Sequence, residues 1–189
     1  MQGGTSSPES SIVDLRAASD ELGMEGALEV ARAGLARGEL PIGAVVVADG
    51  RVIARSHAEE VTQRRLLVHA ELLALDEADR LPDWDRRGAT LYTTLEPCLM
   101  CLAATATAMV GRIVWALPSD AEVVDSVTDA PSDGPPTQVP HLYLPEVSGP
   151  VCAEAAAELF RAYVDARADS ADPFVRWAAT LAAGASPQD

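Results

Sequence analysis

The spacing of apolar residues predicts a helix and then a pair of strands in the first third of the chain. Residues 20–37 have apolar positions at helical intervals. Residues 41–48 form a short β-branched run, which is typical of a strand buried on both faces. Asp49-Gly50 then predicts a hairpin turn into a partner strand at residues 51–55. The sheet is therefore expected to open with an antiparallel pair.

Helices and strands continue to alternate after this hairpin. Residues 56–68 lack a clean period, and residues 120–136 are acidic and contain several prolines, so both segments predict loops. The remaining segments predict, in order, a helix at 70–78, a third strand at 89–95, a helix at 98–110, a fourth strand at 112–117, a fifth strand at 141–144, and helices at 153–168 and 173–183. This alternation predicts a layered α/β domain.

Length and composition indicate one domain. A chain of 189 residues with 48% apolar content can form one full core but is short for two. We expect a disordered N-terminal tail at residues 1–13, a single domain at residues 14–168, and a C-terminal helix and tail at residues 169–189. Without an 18-residue apolar run or a leader-like start, we expect no membrane partner and a cytoplasmic protein.

The net charge weighs against one class of partner. The formal charge is −15, from 14 basic and 29 acidic residues. Proteins that bind folded nucleic acids draw much of their affinity from basic side chains on phosphates, so a strongly acidic surface repels such polyanions. We therefore expect a small-molecule partner and no nucleic acid.

Two short motifs carry the candidate chemistry: H-A-E beginning at His69 and P-C-L-M-C beginning at Pro97. Cys98 and Cys101 supply two thiolates from one helical turn, and an imidazole from elsewhere completes three ligands for Zn²⁺. Glu71 is then placed to move protons beside an open metal position. These residue types at this spacing predict a hydrolytic zinc site.

The same cysteine and histidine motifs could also form other kinds of site. A C-x-x-C pair alone would also fit a redox site or a structural zinc. A structural zinc normally takes four protein ligands, but Cys152 lies far along the chain, and we interpret it as a core residue. His57 begins a second H-A-E without a helical pattern after it, so we interpret it as a loop residue.

Several further polar and aromatic residues are assigned structural roles. Glu96 directly precedes Pro97, and we interpret it as a charge at the start of a helix. The tryptophans Trp84, Trp115 and Trp177 are interpreted as packing residues rather than as platforms for a substrate ring.

The combination of H-x-E with P-C-x-x-C resembles the cytidine deaminase-like superfamily, over about residues 20–166. Within it the chain looks like the branch of tRNA adenosine deaminases and bacterial guanine deaminases. The resemblance implies a three-layer α/β/α sandwich around a mixed five-stranded sheet, and a homodimer. It implies one zinc ion per chain, held by His69, Cys98 and Cys101, with Glu71 as the catalytic proton shuttle.

The same resemblance suggests which residues surround a substrate. Ile42 and Leu95 would form walls, while Ala70 and Pro97 would border the reacting group, with the backbone N–H groups of Ala70 and Cys98 near the developing charge. The implied reaction is hydrolytic deamination, in which water activated by zinc attacks the amine-bearing ring carbon and ammonia leaves.

The departures from the family pattern concern the substrate. Purine-directed members usually have an asparagine where this chain has Ala58, and Asp-Pro-Thr where it has Arg65-Leu66-Leu67. We therefore expect recognition through other loops, such as the acidic residues 120–133. The resemblance still implies that the substrate is a small amino-heterocycle, preferably a purine nucleobase or nucleoside.

Two alternatives stay open. One is a tRNA wobble adenosine-to-inosine deaminase, which the segment Thr94-Leu95-Glu96-Pro97-Cys98 favours and the net charge opposes. The other is a catalytically inactive, zinc-stabilised binding protein, which the presence of Glu71 opposes.

Overall fold

The computed structural model describes residues 8–119 and 144–184, with side chains described from Arg16 onward. Its elements are, in chain order, α1 (Pro8–Ala36), β1 (Gly43–Ala48), β2 (Arg51–His57), α2 (Glu60–Gln63), α3 (Ala70–Asp79), β3 (Thr90–Leu95), α4 (Leu99–Thr107), β4 (Arg112–Leu117), β5 (Glu146–Ser148), α5 (Ala153–Asp165) and α6 (Pro173–Gly184). They form an α/β fold, as expected.

The five strands form one mixed sheet in the order β2-β1-β3-β4-β5. β1 pairs antiparallel with both β2 and β3, whereas β3 with β4 and β4 with β5 are parallel. The three central strands β1, β3 and β4 are almost wholly buried, which explains their continuous apolar sequence. The prediction of a mixed five-stranded sheet is confirmed.

Helices cover the sheet on both sides. α1 packs on β1, β2 and β3 and contacts α5, while α3 packs on β1 and β2 and contacts α4. α6 packs against α5 rather than on the sheet. Among the described residues, the largest fully buried side chains are those of Phe160, Met24, Leu91, Leu102, Ile113 and Leu117. The core therefore lies between the sheet and these helix layers.

Two local features follow directly from glycine. Gly43 opens β1 so close to α1 that a Cβ there would lie 2.3 Å from the carbonyl oxygen of Ala27. In the β1–β2 turn, Asp49 and Gly50 both have positive φ, 50° and 69°, as the predicted two-residue hairpin requires. Glycine is thus needed where β1 meets the helix layer.

The first helix begins earlier than the sequence pattern indicates. α1 starts at Pro8, so residues 8–13 of the expected tail belong to the helix, and residues 1–7 lie outside the described part. Proline is well suited to a first helical turn, because its missing N–H would have no helical partner there. The apolar period that marks the helix starts only where α1 meets the sheet.

The segment predicted as a loop at residues 56–68 contains structure at its beginning and middle. β2 extends to His57, and α2 occupies Glu60–Gln63. The Glu39 carboxylate accepts hydrogen bonds from the backbone N–H groups of Val61, at 2.9 Å, and Thr62, at 2.7 Å. Because its cap comes from a residue more than 20 positions away, no local pattern reveals this helix.

The fifth strand lies later in the chain than predicted. β5 is Glu146–Ser148, and Leu144 belongs to no strand. Residues 120–143, which include the acidic segment and most of the predicted strand, lie outside the described residues. β5 pairs with Arg112, Ile113 and Val114 of β4. Three residues at a sheet edge are too few to leave an alternating pattern. No helix in the described ranges has the length and apolarity needed to cross a bilayer.

Candidate active site

The two motifs meet at the N-termini of α3 and α4. His69 is the N-cap residue of α3 and Cys98 that of α4, both with extended backbone, and neither cap is made by its own side chain. The side chains are therefore free to point away from their helices. Helix N-termini also present unpaired N–H groups and a positive dipole end, which favours thiolates and developing negative charge.

Three side chains from these motifs form a compact donor set. The Sγ atoms of Cys98 and Cys101 are 3.6 Å apart, and His69 Nδ1 lies 3.7 Å from the first and 3.5 Å from the second. Tetrahedral zinc, with Zn–S bonds of about 2.3 Å and a Zn–N bond of about 2.0 Å, requires S···S separations near 3.8 Å and S···N separations near 3.5 Å. The donor geometry fits zinc.

Among the described residues, no fourth side chain joins the three donors. In residues 8–119 and 144–184, the group that could hold a metal at this place consists of His69, Cys98 and Cys101 alone. Cys152 instead precedes α5, with a left-handed backbone at φ 56°. A zinc site with three protein ligands keeps one position open, which is the arrangement of catalytic rather than structural zinc.

The three ligands share protons when no ion holds them. Hydrogen bonding to Cys101 lowers the pKa of Cys98 to about 4, and hydrogen bonding to Cys98 raises the pKa of His69 to about 9. The pKa of Cys101 is raised by the same contact with Cys98 and by burial. Zinc binds thiolate and neutral imidazole, so its binding displaces protons from this cluster.

Glu71 is a buried carboxyl group beside the donor set. It lies in the first turn of α3, and its residue is only 3% exposed. The hydroxyl of Thr93, on the central strand β3, donates a hydrogen bond to Glu71 Oε1 at 3.2 Å. Burial raises the pKa of Glu71 above its ordinary value. A carboxyl with a raised pKa that is held in place can both accept and return a proton.

A cavity of about 370 Å³ opens onto these residues. It is lined by Leu40, Ile42, Glu60, His69, Ala70, Glu71, Leu95, Glu96, Cys98, Ser119, Phe174 and Trp177. Three residues predicted to surround a substrate, Ile42, Ala70 and Leu95, are among them, whereas Pro97 is buried but not part of the described lining. The volume and the mainly apolar walls are those of a small-ligand pocket.

Residues 17–117 match the family model described as "Cytidine and deoxycytidylate deaminase zinc-binding region". This span contains both motifs and all three donors. The chain belongs to this family. Similarity to known members helps to place it within the family.

One curated relative is the tRNA-specific adenosine deaminase of Bacillus subtilis, which is 46% identical over 97 residues. The match covers 51% of this chain and 60% of that protein. Among solved structures, a tRNA:A34 deaminase that carries out A-to-I editing aligns with a TM-score of 0.58 and 34% identity, over 72% of this chain and 97% of that one. The guanine deaminase of Nitrosomonas europaea aligns with a TM-score of 0.57 and 29% identity, over 76% and 83%.

The positions at which the sequence departs from the expected purine-directed pattern are not among the described residues that line the cavity. Ala58 is fully buried, and its N–H donates to the carbonyl of Ile42 at 2.9 Å. Leu66 and Leu67 are 71% and 65% exposed. His57, the second H-A-E histidine, is the last residue of β2 rather than a loop residue, and its Nδ1 lies 2.7 Å from the carbonyl oxygen of Ala58.

The cavity wall also contains residues that sequence reasoning did not assign to it. Phe174 and Trp177 come from α6, more than 70 residues after the cysteine motif. Trp177 packs against the core, as predicted, and it also lines the cavity. Its interpretation as a packing residue rather than a platform for a substrate ring stays a prediction. Helical spacing identifies α6 but cannot show which element it faces. Trp84, by contrast, donates from Nε1 to the carbonyl of Ala78 at 3.0 Å, and the Trp115 ring lies against Gly149.

Glu96 contacts the segment that follows β4. Its Oε2 accepts hydrogen bonds from the backbone N–H of Ser119 at 2.8 Å and from the Ser119 hydroxyl at 3.4 Å. Its own N–H donates to the carbonyl of Leu117 at 2.7 Å. Glu96 therefore attaches the end of β4 to the cavity wall. Its interpretation as a charge at the start of a helix stays a prediction.

Proposed function

We propose that this protein is a zinc-dependent hydrolytic deaminase of a small amino-heterocycle, with a purine nucleobase or nucleoside as the preferred substrate. The observation that carries the proposal is the cavity of about 370 Å³, which brings His69, Glu71 and Cys98 to apolar walls of the right size for a ring system. A flat heterocycle would lose water there and present its amino group to the donor set.

The residues present can perform hydrolytic deamination. His69, Cys98 and Cys101 would hold zinc, which makes water a nucleophile near neutral pH and polarises the reacting carbon. Glu71, fixed by Thr93, takes a proton from the attacking water and delivers it to the departing amine. The water oxygen ends on the ring carbon, and the nitrogen leaves as ammonia.

The electrostatics support a small and uncharged substrate over a polyanion. Among the described residues that line the cavity there are three carboxylic side chains, those of Glu60, Glu71 and Glu96, and no arginine. The chain carries a formal charge of −15. Phosphate groups near this cavity would meet carboxylates rather than cations, which lowers affinity for RNA and for nucleotides.

Wobble adenosine deamination in tRNA is the second candidate. It is supported by the Bacillus subtilis relative, named a tRNA-specific adenosine deaminase, although the match covers only 60% of that protein. The tRNA:A34 deaminase structure adds to this support, since it aligns over 97% of its own length. The structural match to a guanine deaminase supports the small-molecule candidate instead.

A substrate panel separates these candidates. Zinc-loaded protein would be tested for ammonia release from adenine, guanine, cytosine and their nucleosides, and in parallel for inosine formation in tRNA. We expect ammonia from at least one free heterocycle and none of the tRNA activity. Inosine in tRNA without turnover of any free heterocycle would establish the second candidate instead.

A catalytically inactive, zinc-stabilised binding protein is a candidate of another class. Such a protein has no use for a buried acid next to an open metal position, and burying a carboxyl group costs stability. The near-complete burial of Glu71 therefore argues for catalysis. Binding of heterocycles without release of ammonia under any condition of the panel would favour the binding protein.

The assembly and location that the family resemblance implies belong to the same proposal. We expect a homodimer in the cytoplasm. Light scattering on a size-exclusion column measures the mass, and a value near 19.8 kDa, the mass of one chain, would contradict the dimer.

A further inference from the structure

Glu60 is a carboxyl group of the cavity that neither sequence motif contains. It is the first residue of α2 and lines the same cavity as His69 and Glu71. The fully buried Glu39 fixes this short helix by accepting hydrogen bonds from the N–H groups of Val61 and Thr62. The position of Glu60 is therefore set by a buried cap and not by a free loop.

The contacts of Glu60 leave part of its carboxyl group unsatisfied. Oε1 lies 3.7 Å from His69 Nε2, and the side chain is only 18% exposed. Oε2 is buried and has no hydrogen-bond partner among the described residues. A buried carboxyl oxygen without a donor is unfavourable, so a hydrogen-bond donor from a bound molecule would be stabilised here.

Glu60 is not placed to be a metal ligand. The donors of the metal site gather around His69 Nδ1, whereas Glu60 faces the other ring nitrogen, Nε2. The imidazole ring thus stands between Glu60 and the two cysteines. This leaves the cavity as the place from which a new partner can reach the carboxyl group.

We propose that Glu60 recognises the substrate by accepting a hydrogen bond from a ring N–H group, a role that rests on the proposed deaminase function. Rotation about the last side-chain bond exchanges the two oxygens at little cost, so either one can turn to a bound heterocycle. The unpartnered Oε2 is an acceptor, so the group that it lacks is a donor. Glu60 therefore favours heterocycles with an N–H on the facing edge over those with a bare nitrogen or an N-methyl group there.

This assignment accounts for the absent asparagine of the family. Ala58 has no polar group to offer and is fully buried, whereas Glu60, two residues later, reaches the cavity. An asparagine amide offers both a donor and an acceptor, whereas the unpartnered oxygen of Glu60 offers an acceptor. The chain thus recognises a different edge of the heterocycle rather than losing polar recognition of the substrate.

The test measures binding without turnover. Zinc-loaded Glu71→Ala protein, with and without Glu60→Ala, is titrated calorimetrically with guanine, adenine and cytosine and with their ring N-methyl derivatives. We expect one parent heterocycle to bind, and one of its methyl derivatives to bind at least about 10-fold more weakly. Glu60→Ala should weaken the parent by about 10- to 100-fold and abolish this discrimination. Zinc content should stay unchanged.

Glu59→Gln is the matched control, because Glu59 precedes α2 and does not line the cavity. It should leave affinity and discrimination intact. Equal binding of the parent with and without Glu60, discrimination that survives Glu60→Ala, or zinc lost from that variant would overturn the proposal. Ammonia release by the wild type is measured separately. If the wild type is active and Glu60→Ala leaves affinity and discrimination unchanged, only the role of Glu60 is refuted. If the wild type is inactive, the deaminase function is refuted.

Discussion

The hydroxyl of Thr93 donates a hydrogen bond to Oε1 of Glu71 at 3.2 Å, and both residues are almost completely inaccessible to water. Thr93 lies in the middle of β3, whose neighbours β1 and β4 pair with it on either side. The centre of the sheet therefore holds the acid in place from the side opposite to its helix backbone. A donor to a carboxylate stabilises the ionised form, which Glu71 needs when it accepts a proton.

Thr93→Val tests this contact with a nearly isosteric change. Without the donor the pKa of Glu71 should rise further, so the acid limb of the kcat/KM profile should move to higher pH. Activity should fall more at pH 6 than at pH 8. Thr94→Val is the control, since Thr94 Oγ1 bonds to the Pro41 carbonyl and not to Glu71. An unchanged acid limb in Thr93→Val would show that the contact does not tune Glu71.

The metal donors could be predicted from the sequence because their chemistry is local. Cys98 and Cys101 share one helical turn, and His69 precedes an amphipathic helix, so short-range patterns place all three at helix N-termini. The same holds for the hairpin at Asp49-Gly50, where two residues specify the turn. Features that depend on neighbouring residues are readable in a single sequence.

Features that depend on distant packing could not be predicted. α2 exists because Glu39, on a different segment, caps it, and Trp177 reaches the cavity because α6 folds back over α5. The position of Glu60 in the cavity depends on α2, so nothing in the neighbouring sequence indicates it. The short edge strand β5 was also misplaced, since its pairing with β4 and not its sequence defines it.

Glu71→Gln should abolish turnover and leave the metal bound. The amide keeps the size of the side chain but cannot carry a proton, and loss of an acid–base residue lowers rates by roughly 10²- to 10⁴-fold. Elemental analysis should still find one zinc per chain, and the melting temperature should not fall, because an unpaired charge leaves the interior. Loss of zinc from this variant would mean that Glu71 is a ligand or a structural residue.

Cys101→Ser should remove zinc, because a serine hydroxyl does not replace a thiolate ligand. A ligand at about 100 times its dissociation constant adds roughly 2.7 kcal/mol to folding stability, so the variant should also unfold at lower temperature. Cys152→Ser is the matched control, since Cys152 lies at the start of α5, outside the donor set. Full zinc in Cys101→Ser, or lost zinc in Cys152→Ser, would contradict the assigned donors.

Asp20→Asn should destabilise the fold through a bridge between α1 and β4. Arg112 donates to both oxygens of Asp20, at 2.5 and 2.7 Å, and the Tyr92 hydroxyl donates at 3.0 Å. Burial alone would raise the pKa of Asp20, but the contacts with Arg112 outweigh it and lower the pKa below 3.8. Removing the charge leaves the partly buried Arg112 with the Ser148 hydroxyl at 2.8 Å and Glu146 at 3.7 Å as its remaining contacts, so we expect a loss of roughly 1–3 kcal/mol of folding stability.

The pH dependence of this bridge has a definite sign. A lowered pKa in the folded state means that the stabilisation is complete above the pKa of the unfolded chain and is lost as pH falls through the folded value. In urea unfolding, the difference in the free energy of unfolding between wild type and Asp20→Asn should therefore stay constant between pH 7.5 and about 5. This difference in the free energy of unfolding should decrease below about pH 3.8. A gap that widens on acidification would refute the ion-pair explanation.

Trp177→Ala should weaken substrate binding without disabling the chemistry. Trp177 lines the cavity from α6 but lies on a different element from the zinc donors and Glu71. Loss of an aromatic contact with a base costs roughly 1–3 kcal/mol, so KM should rise by about 5- to 150-fold while kcat changes less. Trp177→Phe should restore most of the affinity. Trp84→Ala, outside the cavity, is the matched control, and an equal KM effect there would mean that Trp177 acts through stability and not through contact with the substrate.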